Sequence, residues 1–183
     1  CALAFGIAGL APEFVPWFLG SEYRPTITLT MQLSVAMIPM GITSVIQTQY
    51  LIPFKKQKIY IQSVSLGALI NFILNAALIP IYGAVGAVLG TLAAEIAVCI
   101  YQIHRIRDVL SFKALFKKLL PFLICGIFEF GVIYALNSLR IYTLLQLIIQ
   151  IIAGGFAYTA GCIIYSIYIS RECKNLKELI KSL

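Results

Sequence analysis

The sequence predicts an all-α fold, a polytopic transmembrane helix bundle of about six spans. Three observations carry that expectation. Of the 183 residues 61% are hydrophobic and 11% charged, with a mean hydropathy of +0.95, whereas a water-soluble domain carries roughly a quarter charged residues. The apolar residues fall in long runs, each near the ~20 residues that a helix needs to cross hydrocarbon. Short turn-rich or basic segments such as "PFKKQK" and "PIYG" separate the runs.

The runs place spans at about 1–19, 27–51, 60–79, 84–104, 119–138 and 142–169, with a tail over 170–183. The first opens as "CALAFGIAGL", without Met and already apolar, so it reads as the cut end of a helix in a longer protein. It has neither the basic n-region nor the small-residue cleavage site of a secretory signal. The turn-rich stretch "APEFVPWFLGSEYRP" leads to the second span.

The second span carries a stripe. Thr28, Gln32, Pro39, Thr43, Gln47 and Tyr50 fall close to one helical face. Pro39 and Gly41 sit near its middle, where proline removes a backbone hydrogen bond and favours a kink. A kinked span with a polar stripe suits the wall of a cavity, as in transporters.

In the third span Ser63, Gly67, Asn71 and Asn75 recur every four residues, a row along one face. In the fourth, Gly83, Gly86, Ala87, Gly90, Thr91 and Ala94 make a small-residue face that ends in Glu95. Gly86 and Gly90 form a GxxxG pair, which lets two helix backbones approach closely. The turn "PIYG" is too short to separate these helices, so an antiparallel hairpin is expected. Two roles stand for its polar residues. Asn75, near the turn, reads as interhelical glue with Gly83, Gly86 and Gly90, while Asn71 divides evenly between glue and a polar path.

Glu95 lies near mid-bilayer, where an ionised carboxylate is costly. It must be protonated, paired or facing water; a neutral carboxyl hydrogen-bonded to Asn71 or Thr91 is the favoured expectation. The fifth span carries Glu129 at its centre. The sixth carries Gln146, Gln150, Gly154 and Gly161 at helical spacing, either as packing or as a groove touching a lipid substrate. The candidate translocation path is therefore Gln32, Thr43, Gln47, Asn71, Glu95 and Glu129.

The net charge of +7 is distributed, not clustered for nucleic acid. Lys55, Lys56 and Lys58 follow the second span; Arg105, Arg107, Lys113, Lys117 and Lys118 follow the fourth; Arg171, Lys174, Lys177 and Lys181 follow the sixth. Only Arg24 and Arg140 fall on the opposite side. This asymmetry is the positive-inside pattern, which puts the basic loops and the C-terminus in the cytoplasm. Ile106, Val109, Leu110, Leu115 and Phe116 repeat at helical spacing among basic residues, and Leu176, Leu179, Ile180 and Leu183 do so in the tail. Both segments are expected to lie as amphipathic helices on the membrane surface.

No catalytic signature appears. His104 abuts a basic loop, no carboxylates pair in a loop, and "GAVGAVLG" has the wrong spacing for a dinucleotide fingerprint. The five cysteines (Cys1, Cys99, Cys125, Cys162 and Cys173) form no CxxC pair. Neither enzyme activity, a metal nor a cofactor is expected.

Three stretches carry a family resemblance: "GLAPEFVPWFLGSEYRP", "TQYLIPFKKQK" and "NFILNAALIPIYGAVGAVLGTLAAE". The chain resembles the polysaccharide biosynthesis C-terminal region of bacterial oligosaccharide flippases, within the multidrug/oligosaccharidyl-lipid/polysaccharide exporter superfamily. Asn71, Asn75, Pro80, Gly83, Gly86, Thr91 and Glu95 match its Asn-x-x-x-Asn, Ile-Pro, Gly-x-x-Gly, Thr-x-x-x-Glu series. The resemblance implies the C-terminal part of a two-lobe transporter of 12 to 14 spans, with the N-terminal lobe missing from this sequence. It implies a protein of the bacterial cytoplasmic membrane that flips an undecaprenyl-pyrophosphate-linked oligosaccharide by alternating access. Membrane lipids and other polysaccharide-assembly membrane proteins would be its partners. A cation-coupled drug or metabolite exporter of the same superfamily is the runner-up. A glycan polymerase or ligase fits poorly, because the longest external connection offers only Glu13, Glu22 and Arg24.

Overall fold

A backbone in hydrocarbon has no water to bond with, so it must satisfy its own N–H and C=O groups, and helices do this within one segment. Every regular element among the described residues is helical. The computed structural model describes residues 1–109, 112–138 and 143–181, without the side chains of 112, 114, 143 and 169–181. Among the described residues six stretches are long and apolar enough to cross a membrane: Ala2–Leu19, Pro25–Leu51, Gln57–Tyr82, Ala84–Arg105, Leu115–Leu136 and Leu144–Tyr168. The expected all-α bundle of about six spans is the fold observed, and the chain is a multi-pass membrane protein.

The first span is one helix, α1 (Ala2–Leu19), and a short 3-10 turn at Ser21–Tyr23 leads out of it. The second span is three pieces: α2 (Pro25–Val35), α3 (Met37–Ile46) and a π-turn over Gln47–Leu51. Pro39 explains the first break. It has no N–H to give the Val35 carbonyl and its ring crowds that carbonyl, so α2 stops at Val35. The Ala36 N–H turns back to Leu33 O at 3.0 Å. In the π-turn the Ile52 N–H reaches five residues back to Gln47 O at 3.0 Å, which widens the helix locally.

The third and fourth spans are α4 (Gln57–Tyr82) and α5 (Ala84–Arg105). They turn at Gly83, whose φ of 55° is one that residues with a β-carbon rarely adopt. This hairpin is the most extensively packed helix pair, as the small-residue seam requires. A β-carbon on Gly86 would stand 2.5 Å from the Leu78 carbonyl oxygen, and one on Gly67 would collide with Val98. The glycines are what bring the two helices together.

The last two spans are α6 (Phe112–Leu136) and α7 (Thr143–Lys181). Here the expectation of a surface-lying amphipathic helix over residues 106–116 is corrected only for Ile106 and Leu115, while Val109 and Phe116 are exposed; the tail side chains that carry the second such expectation lie outside the described residues. Lys113, Lys117 and Lys118 occupy the first turns of α6, continuous with the span that follows. Ile106 is 4% exposed and joins a buried cluster with Ile46, Leu51, Cys99 and Ile103, against which Leu115 also packs. Ile106 and Leu115 thus face this cluster. The tail backbone likewise continues α7. Its 39 residues extend about 58 Å at 1.5 Å per residue, well beyond hydrocarbon thickness. Leu110, Arg140 and Leu183, and the side chains of Arg171, Cys173, Lys174, Leu176, Lys177, Leu179, Ile180 and Lys181, lie outside the described residues.

Two groups of helices result. α1, α6 and α7 pack on one another, α5 packs on both α3 and α4, and α2 bridges the groups by packing on α1 and α5. Large apolar side chains point outward along the spans, among them Phe72, Ile81 and Phe156, each more than 70% exposed. Lipid is the solvent such a surface fits.

Candidate functional site

The polar residues of the spans sort into three places. The largest is a cleft of about 650 Å³ between α3 with its π-turn, α4 and α5. Thr43, Ser44 and Gln47 line it from the second span, Asn71 and Asn75 from α4, and Glu95 from α5. Thr43 sits in α3 beyond the break at Ala36, and Gln47 opens the π-turn. Thr43 is tied down, its Oγ1 donating to Met40 O at 2.9 Å.

Along the α4–α5 seam runs a chain of hydrogen bonds. Asn75 Nδ2 donates to Asn71 Oδ1 at 2.8 Å, Asn71 Nδ2 to Thr91 Oγ1 at 3.3 Å, and Thr91 Oγ1 to Ala87 O at 3.0 Å. Each amide thus holds its neighbour in one orientation. The expected bond between Glu95 and Asn71 or Thr91 is not seen among the described residues; these two bond each other instead. Glu95 stands half-buried on the cleft wall. Asn75, expected chiefly as interhelical glue, bonds Asn71 of its own helix and lines the cleft. Its Oδ1 is buried and accepts no hydrogen bond among the described residues.

Glu129 lies elsewhere. It is 4% exposed on α6, its Oε1 3.1 Å from where a β-carbon on Gly6 of α1 would stand, while its Cγ is 3.6 Å from the same position on Gly154 of α7. Small residues on both neighbours make room for the carboxyl, whose Oε2 has no partner among the described residues. It is not part of the cleft wall. Gln32 on α2 is absent from the wall too, its Oε1 buried and without a partner among the described residues.

The third place is the end of α6. Gln150 Nε2 donates to Asn137 Oδ1 at 2.6 Å, and Gln146 Nε2 reaches Leu136 O at 3.4 Å. Leu136 ends α6, so Gln146 satisfies a carbonyl that a helix terminus leaves open, while Gln150 holds the Asn137 side chain. A β-carbon on Gly154 would meet Ile133 of α6, and one on Gly161 would meet Cys125. The row Gln146, Gln150, Gly154, Gly161 is thus a packing face toward α6, not a groove.

Gln102 escaped notice in the sequence. It is fully buried and donates from Nε2 to Ser63 Oγ at 2.8 Å, which in turn donates to Tyr60 O at 2.7 Å. Its position seven residues after Glu95, on the same helical face, was the available signal.

Among the described residues lining the cleft the only carboxylate is Glu95, and there is no Lys, Arg or His. The wall offers amide and hydroxyl groups and one acid, a set suited to hydrogen-bonding hydroxyl-rich or cationic molecules. No group of three or more His, Cys, Asp or Glu among the described residues is placed to hold a metal ion. Comparison of the chain with protein-family models, with curated proteins and with solved structures gives no match.

Proposed function

We infer that this chain is one helical lobe of a membrane transporter, and that the whole protein moves an undecaprenyl-pyrophosphate-linked oligosaccharide across a bacterial cytoplasmic membrane. The observation that carries the reading is the convergence of Thr43, Gln47, Asn71 and Glu95 on one cleft within the membrane spans. Polar side chains at that depth are costly and concentrate on transport pathways. The substrate class comes from the resemblance of the Asn71–Glu95 segment to oligosaccharide flippases. Amide and hydroxyl groups on the wall suit sugar hydroxyls, while the isoprenoid tail stays in lipid. The second lobe rocks against this one around the cleft, the basic loops and the C-terminus face the cytoplasm, and no bond is broken.

A second reading, cation-coupled export of a drug or metabolite, is favoured by one specific observation. The wall holds a carboxylate and no basic residue, so nothing on it complements a pyrophosphate. The full-length protein reconstituted in vesicles separates the two. Transfer of a lipid-linked oligosaccharide between leaflets, measured by access of an impermeant sugar-oxidising reagent, is the expected result. Export of a cationic dye driven by an ion gradient, with no glycolipid transfer, would replace the flippase reading with the exporter one.

A further inference from the structure

Away from the polar cleft, Glu129 is sealed deep in the α6 span, where α1 and α7 both pack on it. Glycines bring α1 close on this side. A β-carbon on Gly6 would stand 3.1 Å from Glu129 Oε1, one on Gly9 would stand 2.9 Å from Ile133, and one on Gly126 would collide with the Phe5 ring. One turn before Glu129 the Cys125 thiol meets Cys162 of α7. Cys162 in turn shares a hydrogen bond with Tyr158, which lies within electrostatic reach of Glu129. Every ionisable side chain on this path is an acid. No Lys, Arg or His occurs in residues 2–19, 119–136 or 144–168. The positive charge that acts on the carboxyl is the α-amino group of Cys1, and burial outweighs it.

We propose that Glu129 is a proton-binding site that latches α1 onto α6 and α7. With its proton the carboxyl is neutral and stays sealed beneath Gly6. When the O–H bond breaks, the proton passes to water and the electron pair stays on the carboxylate. Tyr158 and the two thiols hold their own protons at neutral pH, so none of them neutralises that charge. An ionised carboxylate at this depth is costly; it draws water in, and α1 moves off. Oε2 eases the step. It has no hydrogen-bond partner among the described residues, so it loses none on opening and gains one from water. A hard cation is a poorer occupant, because it takes about six oxygens and the described side chains here offer the carboxyl and the Tyr158 hydroxyl. The latch lies off the cleft wall and works whatever the protein carries.

The test uses the full-length protein in a detergent free of carbonyl groups. Infrared difference spectra between pH 6 and pH 9 should show the C=O band of a protonated carboxyl fading as the pH rises. The band should be missing from Glu129→Gln and kept in Glu95→Gln. Opening is read at Cys125, with the other four cysteines replaced by alanine. Its labelling by a small thiol reagent should rise with pH beyond the rise seen in Glu129→Gln, by up to about tenfold for each pH unit above the titration point. Gly6→Ala keeps the acid but crowds Oε1, which disfavours the closed, protonated state. It should move the midpoint of the infrared change to lower pH, and it tests the latch even where Glu129→Gln fails to fold. A band that persists in Glu129→Gln, or one lost in Glu95→Gln, would overturn the site. So would a midpoint unmoved by Gly6→Ala, or Cys125 labelling that rises equally in wild type and Glu129→Gln.

Discussion

The side-chain oxygen of Asn75 occupies the space that a β-carbon on Gly90 would fill. Asn75 can therefore lie flat against α5 and give its amide to Asn71 at 2.8 Å. A glycine on one helix thus sets the orientation of an amide on the next, and through it the polar edge of the cleft.

Gly90→Ala should push Asn75 to another rotamer and break the Asn75–Asn71 bond. The bond joins two side chains of α4 one turn apart, and an intramolecular hydrogen bond contributes about 1 kcal/mol net, so the loss should be no more than about 1 kcal/mol. In an Asn75→Ala background the same substitution should cost almost nothing. Gly86→Ala should cost more, about 1–3 kcal/mol, because its β-carbon meets Leu78 backbone atoms that cannot swing aside. Detergent unfolding of the four variants checks the order; equal costs at 86 and 90 would remove the amide explanation.

Pro39→Ala restores an N–H able to reach the Val35 carbonyl and should join α2 to α3. Stability should rise by about 1 kcal/mol, the net worth of a hydrogen bond. Transport should fall, because a straightened span turns Thr43 and Gln47 off the cleft wall. A variant that transports at the wild-type rate would show that the break does not aim these residues.

Glu95 makes no side-chain hydrogen bond among the described residues, so Glu95→Gln keeps its shape and should leave stability within about 0.5 kcal/mol. The transport consequence is separate. If the carboxyl exchanges a proton or meets a cation during the cycle, the folded variant should lose the pH or ion dependence of transport. Wild-type transport from pH 6 to 8 would show that ionisation of Glu95 plays no part.

Lys56→Cys, Arg107→Cys and Lys177→Cys, in a protein freed of its native cysteines, should resist an impermeant thiol reagent applied to intact cells. Arg24→Cys and Arg140→Cys should react. The expectation follows from twelve of the fourteen Lys and Arg falling on one side of the spans. Labelling of Lys56→Cys from outside would invert the topology.

The sequence by itself determined the spans and the α4–α5 hairpin. Both are local properties: an apolar run of sufficient length must close its own backbone hydrogen bonds in lipid, and a Gly83 turn with glycines beyond it leaves two helices nowhere to go but together. Only the tertiary structure decided what each polar face looks at. A period of 3.6 marks a stripe but not its neighbour, and the second span shows why this matters. Gln32 and Thr43 share one stripe on an unbroken helix, yet the break at Ala36 separates them, and Thr43 and Gln47 line the cleft while Gln32 does not. Glu129 was sent instead among α1, α6 and α7, where Gly6 and Gly154 leave room for it. Ile106 and Leu115, amphipathic in sequence, were drawn into a core built from residues of α3, the π-turn and α5. Each outcome depends on the shape of a helix distant in the chain, which no local spacing encodes.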